Sequence, residues 1–186
     1  KISDIRDNAM REYLKTHDKT IDEYKEVINI ILDYVKTNKR IIYGGWALDK
    51  LITHKNPKDG IYSKDNIEQQ DIEFYSFEPI VDIVNIGEIL QKKGYSDIRA
   101  ESAVHHETYT FFVNQLGYFD VSYMPKIIFH KMPIMKLDGL LIAHPKWILI
   151  DSFRQYNDPM TSYWRVEKHM KRTNKLLKYY PLETRG

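Results

Sequence analysis

The chain has 186 residues, 42% of them apolar, with 14 Tyr, 7 Phe and no cysteine. That length fits one domain, or one with a small appendage, and the absence of cysteine excludes a disulfide scaffold, a thiolate zinc site and a cysteine nucleophile. The net charge of +2 hides an asymmetry, because Arg165, Lys168, Lys171, Arg172, Lys175, Lys178 and Arg185 face only Glu167 and Glu183 after position 163. A basic tail behind a mildly acidic body suits a polyanionic partner.

No apolar run approaches the roughly 18 residues of a membrane span. No secretory signal is visible and the first residue is Lys1, so the chain reads as part of a longer protein. In chain order, Ile21, Tyr24, Ile28, Ile31, Leu32 and Val35 keep helical spacing and predict an amphipathic helix in a segment spanning 1–38. Lys39-Arg40 leads into a short strand, Ile41-Ile42-Tyr43, stopped by Gly44-Gly45, with a helix over Trp46 to Ile52 directly behind. A polar stretch from His54 to Gln70 follows, with turn signals at Asn56-Pro57 and Asp59-Gly60. Asp71 to Phe77 alternates as a strand, Pro79 opens a helix and Gly94 is placed to end it. Three strands are predicted next, over Asp97–Ala103, His106–Val113 and Tyr118–Met124. Beyond Pro133 the pattern reads as helical to near Tyr180, most clearly over Trp147–Phe153 and Tyr163–Tyr179. The expected fold class is α+β: a mixed sheet of about five strands flanked by helices, with a core at 39–135 and a basic helical segment at 136–186.

The chemistry resides in two strands and one turn. Side chains alternate along a strand, so Asp71 and Glu73 share one face while Ile72 and Phe74 share the other. By the same alternation Asp120 lies with Tyr118 and Ser122, opposite Phe119 and Val121. If the strands are neighbours, three carboxylates converge above an apolar floor. Such a group raises its own pKa values unless cations sit among its members. Oxygen-only ligands favour magnesium or manganese, and two such ions suit an in-line phosphoryl displacement. Asp120 is then the candidate to bind or activate the attacking hydroxyl. Either strand alone reads better as the polar face of a half-exposed strand. Gly44-Gly45 adds specificity, since glycines between strand and helix let a phosphate approach backbone N–H groups at the positive helix end.

This order, Tyr43-Gly44-Gly45-Trp46, then Asp71-Ile72-Glu73, then Phe119-Asp120-Val121-Ser122, is similar to that of the polymerase-beta-like nucleotidyltransferases. Two departures are a Glu as the second acid and a long insertion between Gly45 and Asp71. The chain more closely resembles the poly(A) polymerase catalytic subunits of large cytoplasmic DNA viruses, of mimivirus and poxvirus type. The matching stretches are Ile42 to Leu51, Lys55-Asn56-Pro57-Lys58-Asp59, Asp71 to Ser76, Asp120 to Lys126, His144-Pro145-Lys146-Trp147 and Asp158 to Arg165. The resemblance implies template-independent addition of AMP from ATP to mRNA 3′ ends, in the host cytoplasm or virion. It implies divalent magnesium or manganese, an RNA 3′ end as partner, and either a homodimer or a cap-methyltransferase-like subunit.

Arg165 and Lys168 lie about one turn apart on the predicted last helix and are candidates to bind triphosphate or RNA backbone. Asp49 reads as a solvated helix charge, and His105-His106 lacks ligand partners at helical spacing. No Walker loop, Rossmann glycine pattern or zincin motif is present. Two alternatives compete with the polymerase: a small-molecule (antibiotic) nucleotidyltransferase, and a non-catalytic scaffold that binds RNA.

Overall fold

The computed structural model describes residues 21–62, 71–114, 116–157, 160 and 163–183. Helix α1 (Ile21–Thr37) begins with Asp22 and Glu23 and ends with Lys36, charges that oppose its dipole. It buries Tyr24, Val27, Ile31, Tyr34 and Val35, leaving Ile28 and Leu32 at the edge of the stripe. Lys39, at a φ of 53°, turns the chain into β1 (Ile41–Tyr43). Helix α2 (Gly44–Lys55) starts on the first of the two glycines, two residues earlier than expected. Then come β2 (Ile72–Ser76) and α3 (Pro79–Lys92). Pro79 sits in the first turn, where a missing N–H matters least. Gly94 closes α3 at a φ of 98°, with Tyr95 N–H bonded to Leu90 and Gly94 N–H to Gln91, the paired bonds of a Schellman ending.

The remaining elements are β3 (Ile98–Ser102), β4 (Thr108–Val113), β5 (Leu116–Tyr123), α4 (Lys126–Lys131), β6 (Ile134–Leu137), β7 (Leu140–Ala143), α5 (Pro145–Tyr156) and α6 (Val166–Tyr179). A single 3-10 turn, Tyr163–Arg165, leads into α6. The strands form one seven-stranded mixed sheet ordered β3-β4-β5-β2-β1-β7-β6. The expected count of about five is thus corrected to seven. The difference is the hairpin β6–β7, which lies in the stretch expected to be helical and places the expected boundary at 135 inside a strand. Leu140-Leu141-Ile142-Ala143 is a short apolar run whose period does not separate helix from strand. Parallel pairing of β7 with the interior strand β1 settles it.

Alternation fills the core from one side of β2 and β5. Ile72, Phe74, Phe119 and Val121 are buried, with Phe119 stacked on Phe111 at 4.6 Å. Each such side chain contributes roughly 1.5–3 kcal/mol through removal from water. Helices α1 and α3 pack on each other, while α2, α5 and α6 form a second group. A buried ion pair ties the first group to the sheet: Arg40, just before β1, donates from Nε and Nη2 to the two oxygens of Asp82 on α3, at 2.8 and 2.7 Å. Tyr34 of α1 donates to the same carboxylate at 2.8 Å. Among the described residues, no helix is long and apolar enough to cross a membrane.

Candidate active site

β2 and β5 are neighbours and parallel, and Glu73 is the register partner of Asp120. The alternation of both strands therefore puts the two carboxylates side by side on the face opposite Phe74 and Val121. Asp71, exposed and immediately before β2, lies on the same face as Glu73. Asp120 is held by the next strand: Thr110 of β4 is its register partner and donates its hydroxyl to Oδ1 at 2.6 Å. Two residues along, Ser122 bonds to the hydroxyls of Tyr43 and Thr108, each at 2.7 Å. Tyr43 in turn stacks on Tyr75, ring centroids 3.9 Å apart.

The glycine turn meets this face directly. Gly44 has a φ of 69°, a left-handed conformation that costs other residues about 1–2 kcal/mol. A β-carbon there would also run into the Glu73 carboxylate. Gly45 N–H donates to Glu73 Oε2 at 2.7 Å, so Glu73 caps the positive end of α2 from another strand. Burial pushes the Glu73 pKa up to about 7; the Gly45 N–H opposes this, Asp120 and Asp71 add to it, and Arg172 reduces it. The Glu73 carboxylate occupies the backbone donor that the sequence assigns to a phosphate.

Arg172 is the cation that sequence reading missed. A β-carbon at Gly45 would collide with the Tyr62 hydroxyl and lie 3.0 Å from Arg172 Nη1. Tyr62 and Arg172 therefore roof the turn. Burial pushes the Tyr62 pKa up to about 12; Arg172 lowers it while Glu73 and Asp71 raise it. Arg165 and Lys168 lie nearer the start of α6, exposed, and are not the groups over Gly45. They act on His169, whose pKa falls to about 4 through burial and the nearby Arg172, Arg165 and Lys168. The signal for Arg172 was available, since Arg165, Lys168 and Arg172 repeat at helical spacing. Asp49 is not a solvated charge: its Oδ1 accepts the backbone N–H groups of Ile61 and Tyr62 at 2.7 and 3.3 Å. His105 and His106 are exposed in the turn before β4.

The donor set, three carboxylates with no nitrogen or sulfur, fits a hard divalent cation such as magnesium or manganese. The Glu73 pKa is raised first by burial and further by Asp120 and Asp71, so a cation among the three carboxylates would lower it. Among the described residues no three acidic or histidine side chains converge closely enough to hold an ion, and Glu73 points to Gly45 instead.

Residues 29–162 match the family model described as poly(A) polymerase catalytic subunit. A protein of Acanthamoeba polyphaga mimivirus that carries the same catalytic-subunit description is 38% identical over 184 residues, 98% of this chain and 31% of its own. A counterpart from African swine fever virus (strain Badajoz 1971 Vero-adapted) is 28% identical over 166 residues, 86% of this chain and 34% of its own. The chain therefore spans about a third of the length of these relatives. The crystal structure of the Megavirus polyadenylate synthase superposes with a TM-score of 0.87 at 38% identity, over 100% of this chain and 37% of that one. The antibiotic-resistance factor ANT(2'')-Ia superposes with a TM-score of 0.54 at 16% identity, over 83% of each chain, a likeness of fold alone.

Proposed function

Because the chain belongs to the poly(A) polymerase catalytic-subunit family, we propose that it carries the active site of a template-independent polynucleotide adenylyltransferase, which transfers AMP from ATP to an RNA 3′ end. The observation that carries the proposal is the pairing of Glu73 with Asp120 beside a helix start whose Gly45 N–H already binds a carboxylate. A site that holds one anion on that donor suits another, the triphosphate.

In the proposed reaction the 3′-hydroxyl oxygen bonds to the α-phosphorus, and the bond from that phosphorus to the β-phosphate bridge breaks. Pyrophosphate departs with the bonding electrons. Asp120, fixed by Thr110, orients the hydroxyl and accepts its proton. Asp71, Glu73 and Asp120 would hold magnesium or manganese, which supplies charge neutralisation at the phosphates and acidifies the hydroxyl. Glu73 has to leave Gly45 for the triphosphate to use that N–H. The exposed Arg165 and Lys168 are suited to the RNA backbone. A second subunit, another copy or a cap-methyltransferase-like protein, belongs to the same proposal.

The test is a panel of RNA primers and aminoglycosides offered to the complete protein with labelled ATP. Label is expected on RNA, and Asp71→Ala or Asp120→Ala is expected to cut the rate by roughly 10²–10⁴. Label on an aminoglycoside alone would sink the proposal. Unchanged extension by both variants would show that these acids do not act.

A further inference from the structure

Helix α6, which carries Arg172 over the Gly44–Gly45 turn, buries Leu176 and Thr173 against the body, and its polar fastenings further along converge on Asp59 in the loop after α2. Asp59 pairs with Lys175 Nζ at 3.3 Å and accepts from Lys178 Nζ at 2.8 Å and from the Tyr179 hydroxyl. Lys175 also donates to the Gly60 carbonyl at 2.9 Å, and the Asn56 amide donates to the Tyr179 hydroxyl at 3.1 Å. From the inner side Asp49 of α2 holds Ile61 and Tyr62 by their N–H groups. Loop 56–62 is thereby clasped between α2 and α6.

Single exposed ion pairs contribute little. Here three donors meet on one carboxylate, whose affinity for protons falls through the bonds from Lys178 and then Tyr179. Arg172 lies three residues before Lys175 and seven before Tyr179, on one stripe of α6, so what holds the latter two sets the height of the first. Its guanidinium reaches the Tyr62 hydroxyl at 3.5 Å and lies 5.7 Å from that ring's centroid. Asp59 closes the Lys55–Asp59 stretch that resembles the viral family, and that stretch has no part in the chemistry described above.

We propose that Asp59 is a positioning residue for nucleotide binding: by clasping α6 to loop 56–62 it holds Arg172 where a triphosphate meets Gly44–Gly45. The inference rests on the adenylyltransferase reading of the site. Its test is ATP and AMP binding by calorimetry, in the complete protein with magnesium, for the wild type, Asp59→Asn, Asp59→Glu, Arg172→Gln and the double variant Asp59→Asn with Arg172→Gln. Asp59→Asn is expected to weaken ATP binding about tenfold, on the scale of one charge-assisted hydrogen bond, and AMP binding less. Asp59→Glu, which keeps the charge, restores most of the affinity. The double variant binds no more weakly than Arg172→Gln alone, because both act through one guanidinium. That plateau is what a merely structural role for Asp59 does not produce. Losses that multiply in the double variant, or wild-type affinity in Asp59→Asn, overturn the clasp. A wild-type protein that binds no ATP overturns the adenylyltransferase reading, and the clasp with it.

Discussion

Replacement of Asp82 by Ala is expected to destabilise the fold severely without touching the candidate site. Asp82 is 0% exposed and Arg40 5%, and the two are joined by parallel bonds to both carboxylate oxygens. Removing one partner of such a pair costs about 3–5 kcal/mol, because a charge stays buried without its counter-ion. Two details set the value within that range. Tyr34 also loses its acceptor, adding about 1 kcal/mol. Arg40 keeps an ion pair with Glu78, whose side chain is 43% exposed, and a place 4.7 Å from the Phe77 ring centroid, which together soften the loss. A loss of about 3 kcal/mol is the expected result. Urea unfolding followed by circular dichroism would show it as a lower midpoint at unchanged slope. The double replacement Arg40→Met with Asp82→Leu removes both charges and is expected to recover most of the stability. A loss below about 1 kcal/mol for Asp82→Ala, or a double variant worse than the single, would refute the reasoning.

Gly44→Ala is expected to lose about 1–2 kcal/mol from its left-handed backbone, and more as Glu73 is displaced, with extension activity lost as well; thermal unfolding together with the extension assay checks both. The raised Glu73 pKa predicts a pH effect in EDTA: its share of stability is fully present below about 4.5 and is lost as pH rises through about 7. Glu73→Gln is expected to remove that fall, so identical pH–stability profiles for variant and wild type would contradict the assignment.

What was legible in the sequence is what local geometry dictates. Alternation put Asp71 and Glu73 on one face of β2 and set Asp120 opposite Phe119 and Val121 in β5; only the pairing of the two strands, with Glu73 beside Asp120, brings those faces together. The helical stripe of α1, the Pro79 start and the Gly94 stop were equally local. Local pattern failed at β6 and β7, four residues each, where only pairing with β1 separates strand from helix.

The sequence by itself therefore determined the acids, the glycine turn and their order. Tertiary structure decided how they are used. Glu73 rests on Gly45 from 28 residues away, and Arg172 reaches Tyr62 across 110. Asp59 gathers side chains from α6 about 120 residues further on. Such contacts leave no periodic trace, because periodicity records which face a side chain takes and not what it meets there.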